Sequence, residues 1–304
     1  MKNENSRCGF IAIVGVPNVG KSSLLNALLG QKISIVSSKP QTTRTRIMGI
    51  LTIDDTQLIF IDTPGIHTPK NHLGEYMKKS IKESIASVDI GLLVVEPGKN
   101  IKADEIRLIE KFKSLSIPVI LAINKIDLIK NKSDLLNIIS KYSKLIDFKA
   151  IVPISVKEKN GLPELILELK KLCVAGPHLF DEDSLTDQPE KVLVSEIIRE
   201  KILKVTDKEI PHGVFVDIET MKERPSGNIT DIDATIYCEK ESHKGIIIGK
   251  NGDMLKKIGT MARFDIEKFF GNKINLKIWV KVKEDWRNRM NLLKTFGYDE
   301  KNFK

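Results

Sequence analysis

Gly15-Val16-Pro17-Asn18-Val19-Gly20-Lys21-Ser22 reads as G-x-x-x-x-G-K-S. Before it runs an apolar, strand-like stretch, residues 9–14, and after it a helical pattern, residues 21–29. Strand, glycine-rich turn and helix in that order are the setting of a phosphate-binding loop. The glycines let the backbone curl until its N–H groups point at phosphate oxygens, and the following helix adds its positive N-terminus. Lys21 is expected to reach the β- and γ-phosphates, and Ser22 to ligate magnesium.

Outward from this loop, further continuous apolar runs lie at residues 58–61, 90–95, 119–123 and 150–154, with helical patterns such as 102–113 between them. Apolar strands separated by helices predict a buried, mostly parallel sheet and hence an α/β fold. The pattern ends at an acidic, proline-bounded stretch with neither helical nor alternating period. The chain therefore divides into residues 1–176, a linker at 177–190, and residues 191–304.

Two later segments bear on which nucleotide is bound. Asp62-Thr63-Pro64-Gly65 follows the run 58–61, where a carboxylate can hold magnesium through water. Asn124-Lys125-Ile126-Asp127 follows the run 119–123 and resembles the N-K-x-D base reader of translation-factor and Ras-like GTPases. Asp127 can accept hydrogen bonds from guanine N1–H and N2–H₂, donors that adenine lacks there. Two such bonds to a charged acceptor amount to about 3–6 kcal/mol. Lys125 is expected along the base plane, with Asn124 tying its loop to the phosphate loop. Ser155 and Val156 stand where such GTPases carry an S-A-K loop, Val156 replacing the usual Ala. Within Pro40-Gln41-Thr42-Thr43-Arg44, a Thr of the switch segment would reach magnesium when the γ-phosphate is present. Thr43 is preferred and Thr42 stays open. Where Ras-like enzymes carry a water-positioning Gln, this chain has Ile66, so intrinsic hydrolysis is expected to be slow. Asn18 occupies the position at which some GTPases help hold a potassium ion.

Charge is unevenly spread. The 304 residues carry net +9, and the linker contributes only acidic residues, five of them. Residues 240–294 hold 14 basic and 6 acidic residues, a local +8 that favours a polyanionic partner. Cys8, Cys173 and Cys238 are too scattered for a disulfide framework or a metal cluster and read as reduced thiols of a cytoplasmic protein. No apolar run approaches the length of a membrane span, and residues 1–7 lack a signal-peptide core.

In the second part a helical segment, residues 191–205, precedes two strand patterns. The second alternates with Ile232, Ala234, Ile236 and Cys238 on one face. Ile246-Ile247-Ile248-Gly249-Lys250-Asn251-Gly252 then places G-x-x-G between two helical patterns, and Ile274 to Val282 alternate as a last strand. The order helix–strand–strand–helix–GxxG–helix–strand matches a type II KH domain, whose loop clamps the backbone of single-stranded nucleic acid. Ile246, Ile247 and Ile248 would floor the groove, and Lys250 would supply charge.

Taken together, the phosphate loop, residues 40–44, 62–65 and 124–127 and the loop at 249–252 resemble the Era-type GTPases of bacteria, over nearly the whole chain. Ser195 to Lys201 and residues 276–283, with Trp279, extend the resemblance into the second domain. It implies GTP hydrolysis with GTP, GDP and Mg²⁺ at the site. It also implies binding near the 3′ end of small-subunit (16S) ribosomal RNA and action on the 30S subunit during its assembly. A monomer in peripheral contact with the cytoplasmic face of the inner membrane is part of the same implication. Competing readings are a P-loop ATPase, against which Asn124 to Asp127 argue, and a membrane-surface GTPase with incidental RNA affinity.

Overall fold

The computed structural model describes residues 6–299 apart from 38, 40, 41, 66–68, 99, 208, 209 and 226. The first half runs β1 (Arg7–Val14), α1 (Lys21–Leu29), β2 (Ile47–Ile53), β3 (Thr56–Asp62), α2 (His72–Ala86), β4 (Ile90–Val95), α3 (Ala103–Ser114), β5 (Val119–Ile123), α4 (Lys132–Ser143), β6 (Ala150–Pro153), α5 (Leu162–Leu172) and β7 (Val174–Ala175). The sheet order is β2-β3-β1-β4-β5-β6, with β7 pairing β1 off that path. Strands β3, β1, β4, β5 and β6 are parallel. Every residue of β3, β4 and β5 is buried, as strands covered on both faces must be. One face packs against Leu24, Leu25 and Leu28 of α1 and Leu165 and Leu169 of α5. The other meets Ile81 and Ile85 of α2, Leu108 and Phe112 of α3, and Ile138 and Tyr142 of α4.

The second half holds α6 (Glu190–Val205), β8 (Phe215–Glu223), β9 (Ile229–Cys238), α7 (Glu241–Ile248), α8 (Asp253–Phe270), β10 (Lys273–Val282) and α9 (Met290–Thr295). Its sheet, β10-β9-β8, pairs β9 parallel to β10 and antiparallel to β8. Ile232, Ala234, Ile236 and Cys238 are fully buried on one face of β9, against Ile198 and Ile202 of α6 and Ile258, Ala262 and Ile266 of α8.

Three features tie the halves together. Helix α6 is buried nearly all round, because Leu193 joins the first half's core while Val194, Ile198 and Ile202 join the second's. Tyr76 and Met77 of α2 share a cluster with Trp286, Leu293 and Tyr298. The stretch expected as a linker has no helix or strand before Glu190, but it is strapped onto the first sheet's edge. Gln57 Oε1 accepts from the Leu179 and Phe180 amides at 2.8 and 3.1 Å, and the Ile50 amide donates to the Leu185 carbonyl at 2.9 Å. Among the described residues no helix is long and apolar enough to cross a membrane.

Candidate functional site

The phosphate loop leaves β1 and enters α1, and its residues Pro17, Asn18, Gly20, Lys21 and Ser22 line a cleft of about 330 Å³ with Thr43 and Lys125. Lys21 is buried and donates from Nζ to the carbonyls of Gly15 at 3.0 Å and Val16 at 3.1 Å. Burial pushes its ammonium down to about 8, offset in part by the charge of Asp62. A triphosphate is the kind of anion that keeps such a buried ammonium protonated.

Beside Lys21 three oxygens converge from three segments. Ser22, at the start of α1, donates from Oγ to Asp62 Oδ2 at 2.7 Å, and its Oγ lies 3.0 Å from Thr43 Oγ1. Asp62, the last residue of β3, is fully buried. Burial raises its carboxyl above the ordinary range against the hydrogen bond from Ser22 and the charge of Lys21, and among the described residues its Oδ1 has no hydrogen-bond partner. Two hydroxyls and a buried carboxylate with an unbonded oxygen are hard donors that suit magnesium. Thr42 faces elsewhere: its Oγ1 donates to the Lys39 carbonyl at 2.6 Å. Ser34, which sequence reasoning passed over, donates to Asp62 Oδ2 at 3.0 Å. Its loop is held by Asn26 of α1, whose Oδ1 accepts from the Ile33 and Ser34 amides. Thr63 donates to the Ile13 carbonyl at 2.9 Å, holding Thr63-Pro64-Gly65 against β1. Ile66, Pro40 and Gln41 lie outside the described residues.

The segment after β5 docks onto the same loop. Asn124 Nδ2 donates to the Val19 carbonyl at 2.8 Å, and its Oδ1 accepts from the Val156 amide at 3.2 Å. One buried amide thus joins the phosphate loop, the end of β5 and the turn after β6. Ser155 donates to Asp127 Oδ1 at 2.7 Å. The Ile126 amide donates to the Ile154 carbonyl at 3.2 Å, fixing residues 124–127 to the end of β6. Lys125 reaches back to the Asn18 carbonyl at 2.7 Å and pairs with Glu96 at 2.6 Å. Glu96 was also missed, although its place just after β4 puts it at the same strand ends, where ligands of open α/β sheets sit.

Gly20 is fixed by this docking. Its φ is +100°, and a Cβ there would lie 2.4 Å from Asn124 Nδ2. Gly20→Ala is therefore expected to break the Asn124–Val19 bond and weaken nucleotide binding by roughly tenfold or more, the worth of one buried hydrogen bond. Isothermal titration reads this directly, and parental affinity would contradict it.

In the second half, Gly249-Lys250-Asn251-Gly252 forms a tight turn between α7 and α8. Gly249 has φ +76°, and a Cβ on it would sit 2.7 Å from that of Met254. Lys250 and Asn251 are exposed at the tip, immediately before the 18-residue helix α8. A groove of about 500 Å³ continues from Gly252 between α8 and β10, with Lys256, Arg263 and Asn275 on its walls. One expectation needs correction. Ile246 is half exposed, but Ile247 is wholly buried in the core and does not floor the groove. Successive residues of an α-helix point about 100° apart, so three in a row cannot share one face.

Comparison with known proteins agrees with both halves. Residues 10–125 match the family described as 50S ribosome-binding GTPase, and residues 209–287 match the KH domain family. The chain is 54% identical to the GTPase Era of Ruminiclostridium cellulolyticum, covering 96% of this chain and 97% of that one. It is 50% identical to the GTPase Era of Clostridioides difficile, covering 97% and 99%. Among solved structures it is similar to Era in complex with MgGDPNP and nucleotides 1506–1542 of 16S ribosomal RNA, with TM-score 0.92, 40% identity and coverage of 96% and 99%. A single-residue variant of Aquifex aeolicus Era bound to GDP·AlF₄⁻ superimposes equally well, with TM-score 0.92, 40% identity and the same coverage.

Proposed function

The chain belongs to the Era GTPase family, and from that premise we propose that it couples GTP hydrolysis to binding the 3′ end of small-subunit ribosomal RNA during assembly of the 30S subunit. GTP hydrolysis with magnesium as cofactor is the family's activity and this chain's. The division of labour follows the chain: residues 1–176 for the nucleotide, 177–190 as a connector, and 191–304 for RNA.

The observation that carries the nucleotide reading is the Asn124 side chain, which joins the base-reading turn to the phosphate loop. In this reading Asp127 accepts from the guanine edge, while Ser155 holds it in place and the Val156 backbone borders the base. Lys21 and the backbone N–H groups of the loop, apart from Pro17, bind the phosphates, and Gly65 borders the same cleft. Ser22, Thr43 and Asp62 would hold magnesium, which when bound would neutralise charge at the β- and γ-phosphates. Asn18 is the residue that would help hold potassium beside them, a role that predicts faster turnover in potassium than in sodium. With no Gln after Gly65, the attacking water must be oriented by other means, and intrinsic turnover is expected to be slow.

Three things support the RNA reading: the glycine-set turn, the basic groove behind it, and the likeness to the 16S-bound Era structure. The reading includes a monomer that touches the inner membrane peripherally from the cytoplasmic side, through the basic surface of residues 240–294. Replacing Lys250 and Asn251 together by Asp tests the RNA site. Both glycines remain, so the turn survives, while two carboxylates face the phosphates that the loop would clamp. Affinity for a single-stranded oligonucleotide of the rRNA 3′ end should fall by roughly tenfold or more, with a flatter salt dependence. GTP hydrolysis without RNA should stay near parental. Unchanged filter binding by the folded variant would refute the RNA assignment.

A further inference from the structure

The switch segment is gripped from the far half of the molecule, on both sides of Thr43. On one side, the Thr42 carbonyl accepts from Arg199 Nη2, on α6. On the other, Arg44 donates to the carbonyls of Val214 at 2.5 Å and His212 at 2.9 Å, with its guanidinium 5.7 Å from the centre of the Trp286 ring. Between these anchors Thr43 presents Oγ1 to Ser22 Oγ at 3.0 Å.

Arg199 is built to hold a fixed direction. Glu196, one turn earlier, receives Nε at 2.7 Å and Nη2 at 2.6 Å, a two-pronged pairing that sets the plane of the guanidinium. The side chain is 1% exposed and Glu196 is 19% exposed, so water competes little for either. A charge placed so deeply in the joint costs desolvation, and as simple glue it would be a poor choice. Its oriented fork ends on the backbone of the residue beside Thr43.

We infer that Arg199 is a positioning residue for GTP hydrolysis: it pins the Thr42 carbonyl so that Thr43 meets magnesium, making the RNA-binding half part of the nucleotide site. The inference rests on the reading of Thr43 as a magnesium ligand. Holding the Thr42 carbonyl on one flank and the Arg44 side chain on the other restricts where Thr43 can move, and losing one anchor frees the segment. A displacement of about 1 Å at a reacting centre costs up to roughly a hundredfold in rate.

The test uses the full-length protein and five variants, each assayed for kcat, magnesium demand and GDP affinity. Arg199→Met should lower kcat by roughly tenfold or more and raise the magnesium concentration for half-maximal hydrolysis. GDP affinity should stay within about twofold, because a switch Thr engages only when the γ-phosphate is present. Arg199→Lys keeps the buried charge but has no fork to serve both Glu196 and Thr42. It should show the same magnesium shift at smaller size, and it keeps the inference testable if the Met variant does not fold. Lys32→Met removes another link between the halves, the pairing of Lys32 with Glu200 and Asp265, without touching residues 42–44. It should hydrolyse GTP at close to the parental rate. Thr43→Ala combined with Arg199→Met should be no slower than Thr43→Ala alone, since both act through one contact.

Parental kcat and magnesium demand in both Arg199 variants would overturn the inference. So would equal losses from Arg199→Met and Lys32→Met, which would reduce Arg199 to holding the halves together. Parental turnover by Thr43→Ala would instead overturn the magnesium reading on which the inference rests.

Discussion

Asp127→Asn is expected to lower GTP affinity by roughly a hundred- to ten-thousand-fold, the worth of two hydrogen bonds to a charged acceptor. It should also raise affinity for xanthosine triphosphate. The Ser155 hydroxyl donates to Asp127 Oδ1. In the variant that hydroxyl selects the orientation in which the Asn oxygen faces Ser155 and the NH₂ faces the base. Guanine presents N1–H and N2–H₂ to that NH₂, donor against donor. Xanthine has an oxygen at position 2, which accepts. Competition of the two triphosphates against a fluorescent guanine nucleotide reads the exchange. A variant that keeps the parental preference would show that Asp127 does not read the base.

Lys21→Ala is expected to reduce turnover by at least roughly a hundredfold, the scale set by removing one preorganised charge donor from a developing anion. The Lys21 ammonium rests on the Gly15 and Val16 carbonyls, so the loop wraps the side chain as much as the side chain serves the loop. Its loss leaves the β- and γ-phosphate charge without a protein cation at that point. Ile66→Ala, by contrast, should change turnover only a few-fold, because a hydrocarbon side chain moves no proton. Phosphate release under saturating GTP compares the two. Equal losses would mean that the position after Gly65 matters to the water in a way its chemistry does not suggest.

The parts of this fold that the sequence makes legible are those with local signatures. Continuous apolar runs mark β1, β3, β4, β5 and β6, and strict alternation marks β9. The motifs at 15–22, 62–65 and 124–127 end such runs, so their meeting at one crevice follows from a parallel sheet. The edge strand β2 escaped notice. Its residues are only partly buried and follow no clean period, as an edge strand paired to β3 on one side and strapped by residues 179–186 would be. Helix α2 is amphipathic, but the sequence carries no signature within it to draw the reading there.

What the sequence could not show is contact between distant residues. Thr42 and Arg199 are 157 positions apart, and neither stands in a pattern that names the other. Arg199 reads as one charge in a charged helix until its burial is seen. Trp286 stands in no motif of the sequence. In the structure it is fully buried, donates to the Gly213 carbonyl at 2.9 Å and packs with Tyr76 of the other half. Ile247 departs from expectation for a local reason instead: within an I-I-I run, helical geometry turns the middle residue inward.

The central claim is that one chain joins a guanine-nucleotide site to a grip on the 3′ end of small-subunit ribosomal RNA. Ultraviolet crosslinking of the purified full-length protein to total cellular RNA in the presence of GTP, followed by sequencing of the bound fragments, tests it most directly. The account predicts reads concentrated at the 3′ end of the small-subunit rRNA and lost when Lys250 and Asn251 are both replaced by Asp. Reads spread over cellular RNA in proportion to abundance, or unchanged by that replacement, would contradict it.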